Sequence, residues 1–176
     1  QKFIEQYIEK HLNKSNLMTI LNSQDRYDIF WGLTHMKDTL SFSIPLKNRL
    51  LSLIQSDDYY LSYNAAHAIP KTYLSDSDFL ESLFSTYLNS SDASTKNVMF
   101  RKLRAAPRLS ENLLEKSRQI MPTMAPQEIS SLLKLYEKHH IKDSASLVAV
   151  RSLIKHTNPY VVNLAKAFLS KSEKRL

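Results

Sequence analysis

SDDYYLSYNAAHAI at residues 56–69 lies over HTNPYVVNLAKAFL at residues 156–169, a short polar turn followed by an apolar stretch in both. Asp58 and Asn158 close those turns and belong to a series. Asp25, Asp58, Asp92, a weaker Ala125–Pro126 counterpart and Asn158 stand 33, 34, 33 and 33 residues apart. Asp and Asn favour the residue just before a helix, because their side-chain oxygens accept from first-turn amides that have no intrahelical partner. A fixed period in this range marks a solenoid whose units are helical hairpins, each too small to bury its own apolar face.

The rest of the chain follows the same pattern. Phe3, Ile4, Tyr7, Ile8 and Leu12 form one face of an opening helix, expected to act as an end piece. A stretch from Leu17 to Asn22 and a helix from about Arg26 to Met36 come next, the latter carrying Tyr27, Phe30, Trp31 and Leu33. Pro45 stands where a helix can begin, ahead of Leu46, Leu50, Leu53 and Ile54. Pro70 ends the helix that holds Tyr60, Leu61, Ala65 and Ile69. Asp78, with Glu81 three residues on, is expected to open the helix of Phe79, Leu83 and Phe84 as an acidic capping box. Leu109, Leu113 and Leu114 follow Pro107. Ile129, Leu132 and Tyr136 follow Pro126. The last pair carries Leu147, Val148, Val150, Leu153 and Ile154, then Val161, Ala165 and Phe168. About ten helices are expected.

The composition agrees with an all-α chain. Of 176 residues, 43% are hydrophobic, and Gly32 is the one glycine, so tight hairpins and phosphate-cradling loops have little to work with. One domain spanning 1–176 is expected. Residue 1 is Gln rather than Met, so the domain is expected to be a piece of a longer polypeptide or a processed product. Cysteine is absent, which removes disulfides and thiolate chemistry and favours a cytoplasmic location. No run approaches the roughly 18 apolar residues of a membrane span, and the start QKFIEQYIEK is too charged for a signal peptide.

The segments at 56–69 and 157–169 resemble the second helix of HEAT-type repeats, where a polar cap leads to a branched apolar residue and then to small alanines. The resemblance extends over most of residues 25–170 and implies a right-handed α-α superhelix of about five helical hairpins, related to armadillo-like folds. Ser62 and Asn163 stand where most HEAT repeats carry Arg or Lys. Tetratricopeptide repeats share the period but need a glycine that only one position supplies.

Charge is uneven. Residues 1–90 hold 8 Lys/Arg against 10 Asp/Glu, whereas residues 91–176 hold 16 against 7. In HEAT-like solenoids the second helices line the concave surface. That resemblance makes Lys96, Arg101, Lys102, Arg104, Lys134, Lys138 and Lys166 candidates for one inner stripe, attractive to an acidic protein segment or a nucleic-acid backbone. The same residues also suit plain solvated helix faces.

Enzyme signatures are missing. None of the six histidines, His11, His35, His67, His139, His140 and His156, stands in an H-E-x-x-H arrangement. The acidic clusters Asp57–Asp58 and Asp76-x-Asp78 flank helix starts, where capping explains them. No nucleophile elbow, Walker loop or dinucleotide fingerprint is present. No cofactor and no metal are expected. Tyr59, Tyr60 and Tyr63 share a helix on which Leu61, Ala65 and Ile69 face the core, so an exposed tyrosine patch is expected there, with Trp31 and Phe84 assigned to the interior.

Three functions fit. The first is a non-catalytic interaction scaffold that holds an extended or acidic partner on its concave surface. The chain also looks like the helical-repeat domain that closes the C-terminal end of M1-class zinc aminopeptidases, a reading that an upstream H-E-x-x-H would settle. Its basic half suits a third, a nucleic-acid-binding protein similar to the HEAT-like alkylpurine DNA glycosylases.

Overall fold

The computed structural model describes residues 12–36 and 43–173. Of the expected opening helix, Phe3, Ile4, Tyr7 and Ile8, and His11 with them, lie outside the described residues. Among the described residues the chain forms ten α-helices and no strand, which establishes the all-α class. In order they are α1 (Lys14–Leu21), α2 (Arg26–Thr34), α3 (Ile44–Ile54), α4 (Tyr59–Ala68), α5 (Ser77–Asn89), α6 (Ala93–Ala105), α7 (Glu111–Ile120), α8 (Pro126–Lys138), α9 (Ser144–Ser152) and α10 (Pro159–Glu173). None is long and apolar enough to cross a membrane.

All five positions of the 33-residue series open a helix. Asp25 accepts from the Tyr27 amide at 2.8 Å, Asp58 from Tyr60 at 2.9 Å, Asp92 from Thr95 at 2.5 Å and Asn158 from Tyr160 at 2.9 Å. Ala125 has no oxygen to offer. There Pro126 fills the first position and Glu128 reaches back to accept from the Ala125 amide at 3.2 Å, so half of a capping box survives. The even-numbered helices are these second members of the pairs. The odd-numbered ones follow Asn13, Ser43, Asp76, Ser110 and Asp143, a parallel series of caps. One start differs from expectation: Asp76, not Asp78, opens α5, accepting from the Phe79 amide at 2.9 Å, and Asp78 sits in the first turn.

The chain divides into two compact units, residues 1–107 and 108–176. In the first, α1–α2, α3–α4 and α5–α6 are hairpins; α1, α3 and α5 pack in one row and α2, α4 and α6 in another. Leu17, Leu21, Leu46, Leu50, Phe79, Phe84, Met99 and Leu103 are completely buried between the rows. Two features set how closely the helices approach. A Cβ on Gly32 would stand 2.9 Å from the Ile20 Cγ2 and 3.0 Å from the Leu21 Cδ2, so α1 and α2 meet where the only glycine is. Ala65 and Ala66 of α4 are wholly buried, as the small residues of a crowded helix should be.

In the second unit α7 packs on α9, α8 on α10, and α9 pairs with α10. Ile129, Leu132, Tyr136, Val161, Ala165 and Phe168 form its core. The buried Tyr136 hydroxyl lies 2.6 Å from Ser117 Oγ, which itself donates to the Leu114 carbonyl at 2.7 Å. That arrangement leaves Tyr136 as the donor to Ser117, and burial pushes its phenol above the ordinary range. Arg118 pairs with Glu111 at the start of its own helix and ties α7 to the start of α9 through Asp143. Helix α8 ends with His140 in the left-handed region, φ 53°, where the Ile141 amide donates to the Tyr136 carbonyl at 2.9 Å. A glycine would adopt this conformation without strain; the chain uses a histidine. Val148 and Ile154, read as helix-face residues, are exposed.

Candidate partner-binding surface

The second helices of the first unit present an aromatic surface. Their apolar positions are split: Ile29, Gly32 and Leu33 of α2 turn to the core, which rotates Tyr27, Phe30 and Trp31 outward or to the margin. Trp31 was expected inside; it is half-buried, because at about 100° per residue its neighbours Gly32 and Leu33 already occupy the inward arc. Its indole stacks on His35 with ring centroids 4.0 Å apart, and the His35 Nδ1 lies 2.8 Å from the Trp31 carbonyl. Position and orientation of the indole are thereby set within its own helix.

Helix α4 supplies the facing wall. Tyr60 is 58% exposed and Tyr59 45%, in line with the tyrosine patch read from the sequence. Tyr59 meets Tyr60 edge-on at 5.3 Å and stacks on Tyr63 at 5.9 Å, and Tyr63 continues to His67 at 4.6 Å. The rings form a row along one face of the helix. Arg26 bridges the two helices, its guanidinium 5.9 Å from the Tyr60 ring centroid and 3.7 Å from the Asp58 carboxylate.

Two adjoining hollows result. The first, of about 420 Å³, is lined by Arg26, Tyr27, Phe30, Trp31, Thr34 and Tyr60. The second, of about 570 Å³, also touches Thr34 and runs past the ends of α2 and α4 between Met36, Asn64, His67, Lys71 and Lys102. Among the described residues no carboxylate lines the second hollow. His67 is held below the usual imidazole range, first by burial and then by the charges of Arg101 and Lys102. One end of the surface is therefore aromatic and the other cationic.

The seven cations singled out in the sequence take different positions. Arg101 and Arg104 are exposed on α6, within about 60° of each other round the helix. Lys102 is half-buried and donates to the carbonyls of His67 and Ile69 at 2.8 and 2.7 Å, closing the end of α4. Lys96 lies over the Tyr87 ring, 5.2 Å from its centroid. In the second unit Lys134 and Lys138 stand one turn apart on the exposed side of α8. Lys166 is exposed on α10, roughly 120–140° round from Tyr160 and Lys171, which meet Ser130 and Glu137 of α8. The sequence reading missed the contribution of Arg26, whose signal was its place directly after a cap and one turn before Phe30.

Among the described residues no three His, Asp or Glu side chains come together as metal ligands. Such a surface can do recognition chemistry: stack on or enclose an apolar group, and attract a negative one. No protein-family model, no curated protein and no solved structure matches this chain.

Proposed function

We propose that this chain is a non-catalytic interaction scaffold, a right-handed HEAT-like superhelix of five hairpins whose second-helix face holds an extended, acidic segment of a protein partner. Support for the superhelix comes from two cap series, one spaced 33, 34, 33 and 33 residues and the other 30, 33, 34 and 33, and from rows of like helices packing together within each unit. Support for the function comes from one observation above the rest. Large aromatic side chains stand out from successive second helices, Tyr27 at 77% and Tyr60 at 58% exposure, and a solvent-facing cluster of this kind marks a binding surface more often than a structural need.

A second reading, nucleic-acid binding, draws on the second unit. Residues 108–176 hold 12 Lys/Arg against 6 Asp/Glu, while residues 1–107 hold 12 against 11, and Lys134 and Lys138 are exposed. A salt titration separates the two readings. Binding of an acidic peptide, a single strand and a short duplex is measured from low to physiological salt, with the pair Arg101→Glu and Arg104→Glu as control. The scaffold reading expects the acidic peptide to bind and the charge reversals to weaken it. Preference for nucleic acid, with a steep loss of affinity in salt through counterion release, would replace it.

A further inference from the structure

The two hollows on α2 and α4 differ in chemistry and share Thr34. From this we infer that they form one two-part site for a peptide segment in which an aromatic residue and an acidic residue stand three positions apart. The inference rests on the scaffold reading and specifies its partner.

The anchor end is the hollow between Trp31 and Tyr60. Four of its six lining residues are aromatic, and the Trp31–His35 stack and the Tyr59–Tyr60–Tyr63 row hold Trp31 and Tyr60 in place before a ligand arrives. A hollow of about 420 Å³ takes a single large side chain with room to spare. Preorganised rings lose little conformational freedom on binding, which is why such pockets anchor peptides.

The anion end lies around His67. Arg101 and Lys102 both act on that imidazole, Lys71 and Lys102 line the hollow beside it, and among the described residues no carboxylate lines it with them. Among the described residues, the charges of Arg101 and Lys102 that reach His67 are the ones a carboxylate placed here would meet.

The spacing follows from helix geometry. Tyr60 and His67 are seven residues apart on α4, about 10 Å at 1.5 Å per residue. An extended peptide spans about 10 Å in three residues at 3.3–3.6 Å each. Seven residues is also close to two helical turns, so both ends lie on the same face of α4.

Charge at the aromatic end selects a peptide over a nucleic acid. Asp25, Asp28 and Asp58 sit at the starts of α2 and α4 beside Arg26, Tyr27 and Tyr60. A strand carrying one phosphate per nucleotide would have to bring negative charge to this end as well. A peptide with an aromatic residue here and its acid three positions away avoids that.

Trp31 is the only tryptophan in the chain, so its fluorescence reports directly on the anchor hollow. The probe is an eight-residue tryptophan-free peptide containing Phe-x-x-Asp or Asp-x-x-Phe, titrated into the full chain. A saturable change in Trp31 emission is expected for at least one order of the pair. Tyr60→Ala, a substitution at an exposed position, is expected to weaken binding about tenfold or more. Arg101→Glu is expected to weaken it about fivefold, and Phe→Ala in the peptide to abolish it. No saturable change with either order up to millimolar peptide overturns the inference, as does equal affinity for peptides with Lys in place of Asp. An oligonucleotide that changes the emission at lower concentration than the peptide also overturns it. If acidic peptides bind while Trp31 is undisturbed, the scaffold reading survives and the two-part site does not. If no peptide binds anywhere by amide-shift mapping, the scaffold reading fails too.

Discussion

Replacing Lys102 by methionine removes an ammonium and keeps most of the side-chain stem. That ammonium lies 2.8 Å from the His67 carbonyl oxygen and 2.7 Å from that of Ile69. It serves the end of α4, where the last four carbonyls have no intrahelical partners and Pro70 has no amide to donate. A hydrogen bond to a charged group contributes about 1.5–3 kcal/mol, and a cation at a helix C-terminus about 0.3–1 kcal/mol. Lys102 is only half-buried, so water reaches the carbonyls in the variant and recovers part of the loss. The expected net cost is about 1.5–2.5 kcal/mol. Arg101→Met, one residue earlier on an exposed position of the same helix, is expected to stay within about 0.5 kcal/mol of the parent. Urea unfolding followed at Trp31 measures both, the midpoints giving the difference if the slopes are equal. Coincident midpoints for the two variants would refute the view that Lys102 is a cap on α4 rather than a solvated charge.

Ala65→Leu should overpack the buried face of α4 and cost about 1–3 kcal/mol, seen as a lower melting midpoint by circular dichroism; an unchanged midpoint would contradict the packing described. His140→Gly should raise the urea midpoint, since a left-handed conformation costs an L-residue about 1–2 kcal/mol and glycine's extra unfolded freedom gives back only about 0.5–1 kcal/mol; a lower midpoint would refute it. His67 is held below 6.5 in the folded chain, so the unfolded chain binds the extra proton first as pH falls. Its contribution to stability is therefore fully present above about pH 6.5 and is lost as pH drops through the window beneath. Arg101→Ala should move the imidazole titration, followed by NMR, back toward 6.5, with Tyr63, Lys71 and Lys102 still around the ring; an unmoved titration would remove Arg101 from the anion end.

Much of the fold was legible because its second helices announce themselves. Asp25, Asp58, Asp92 and Asn158 carry the oxygen that a first turn needs, and the 33-residue spacing picks them out from other polar residues. The first-helix caps are a mixture of Asn, Ser and Asp in a chain rich in all three, and Asp76 and Asp78 differ by one serine. The structure decides between them: Asp76 bonds the Phe79 amide, and the Phe79 ring is buried. The site was legible in part. Tyrosines crowded on one face beside a buried alanine pair had to include exposed members, and Tyr59 and Tyr60 are exposed. Size favours burial of Trp31, yet Gly32 and Leu33 take the inward arc of α2, where α1 stands so close that even a Cβ on Gly32 would meet Ile20 at 2.9 Å. Charge counts identified the cations but not what each touches. Lys102 and Lys96 find carbonyls and a ring within their own unit, and that depends on neighbours about 35 and 9 residues away in sequence.

Chemical-shift mapping of backbone amides during titration with an acidic, aromatic-containing peptide tests the scaffold account most directly. The account predicts that the largest shifts fall on the second helices, with Trp31, Tyr60, His67 and Arg101 among them, and that they saturate together. Shifts confined to α1, α3 and α5, or none at millimolar peptide, would contradict it.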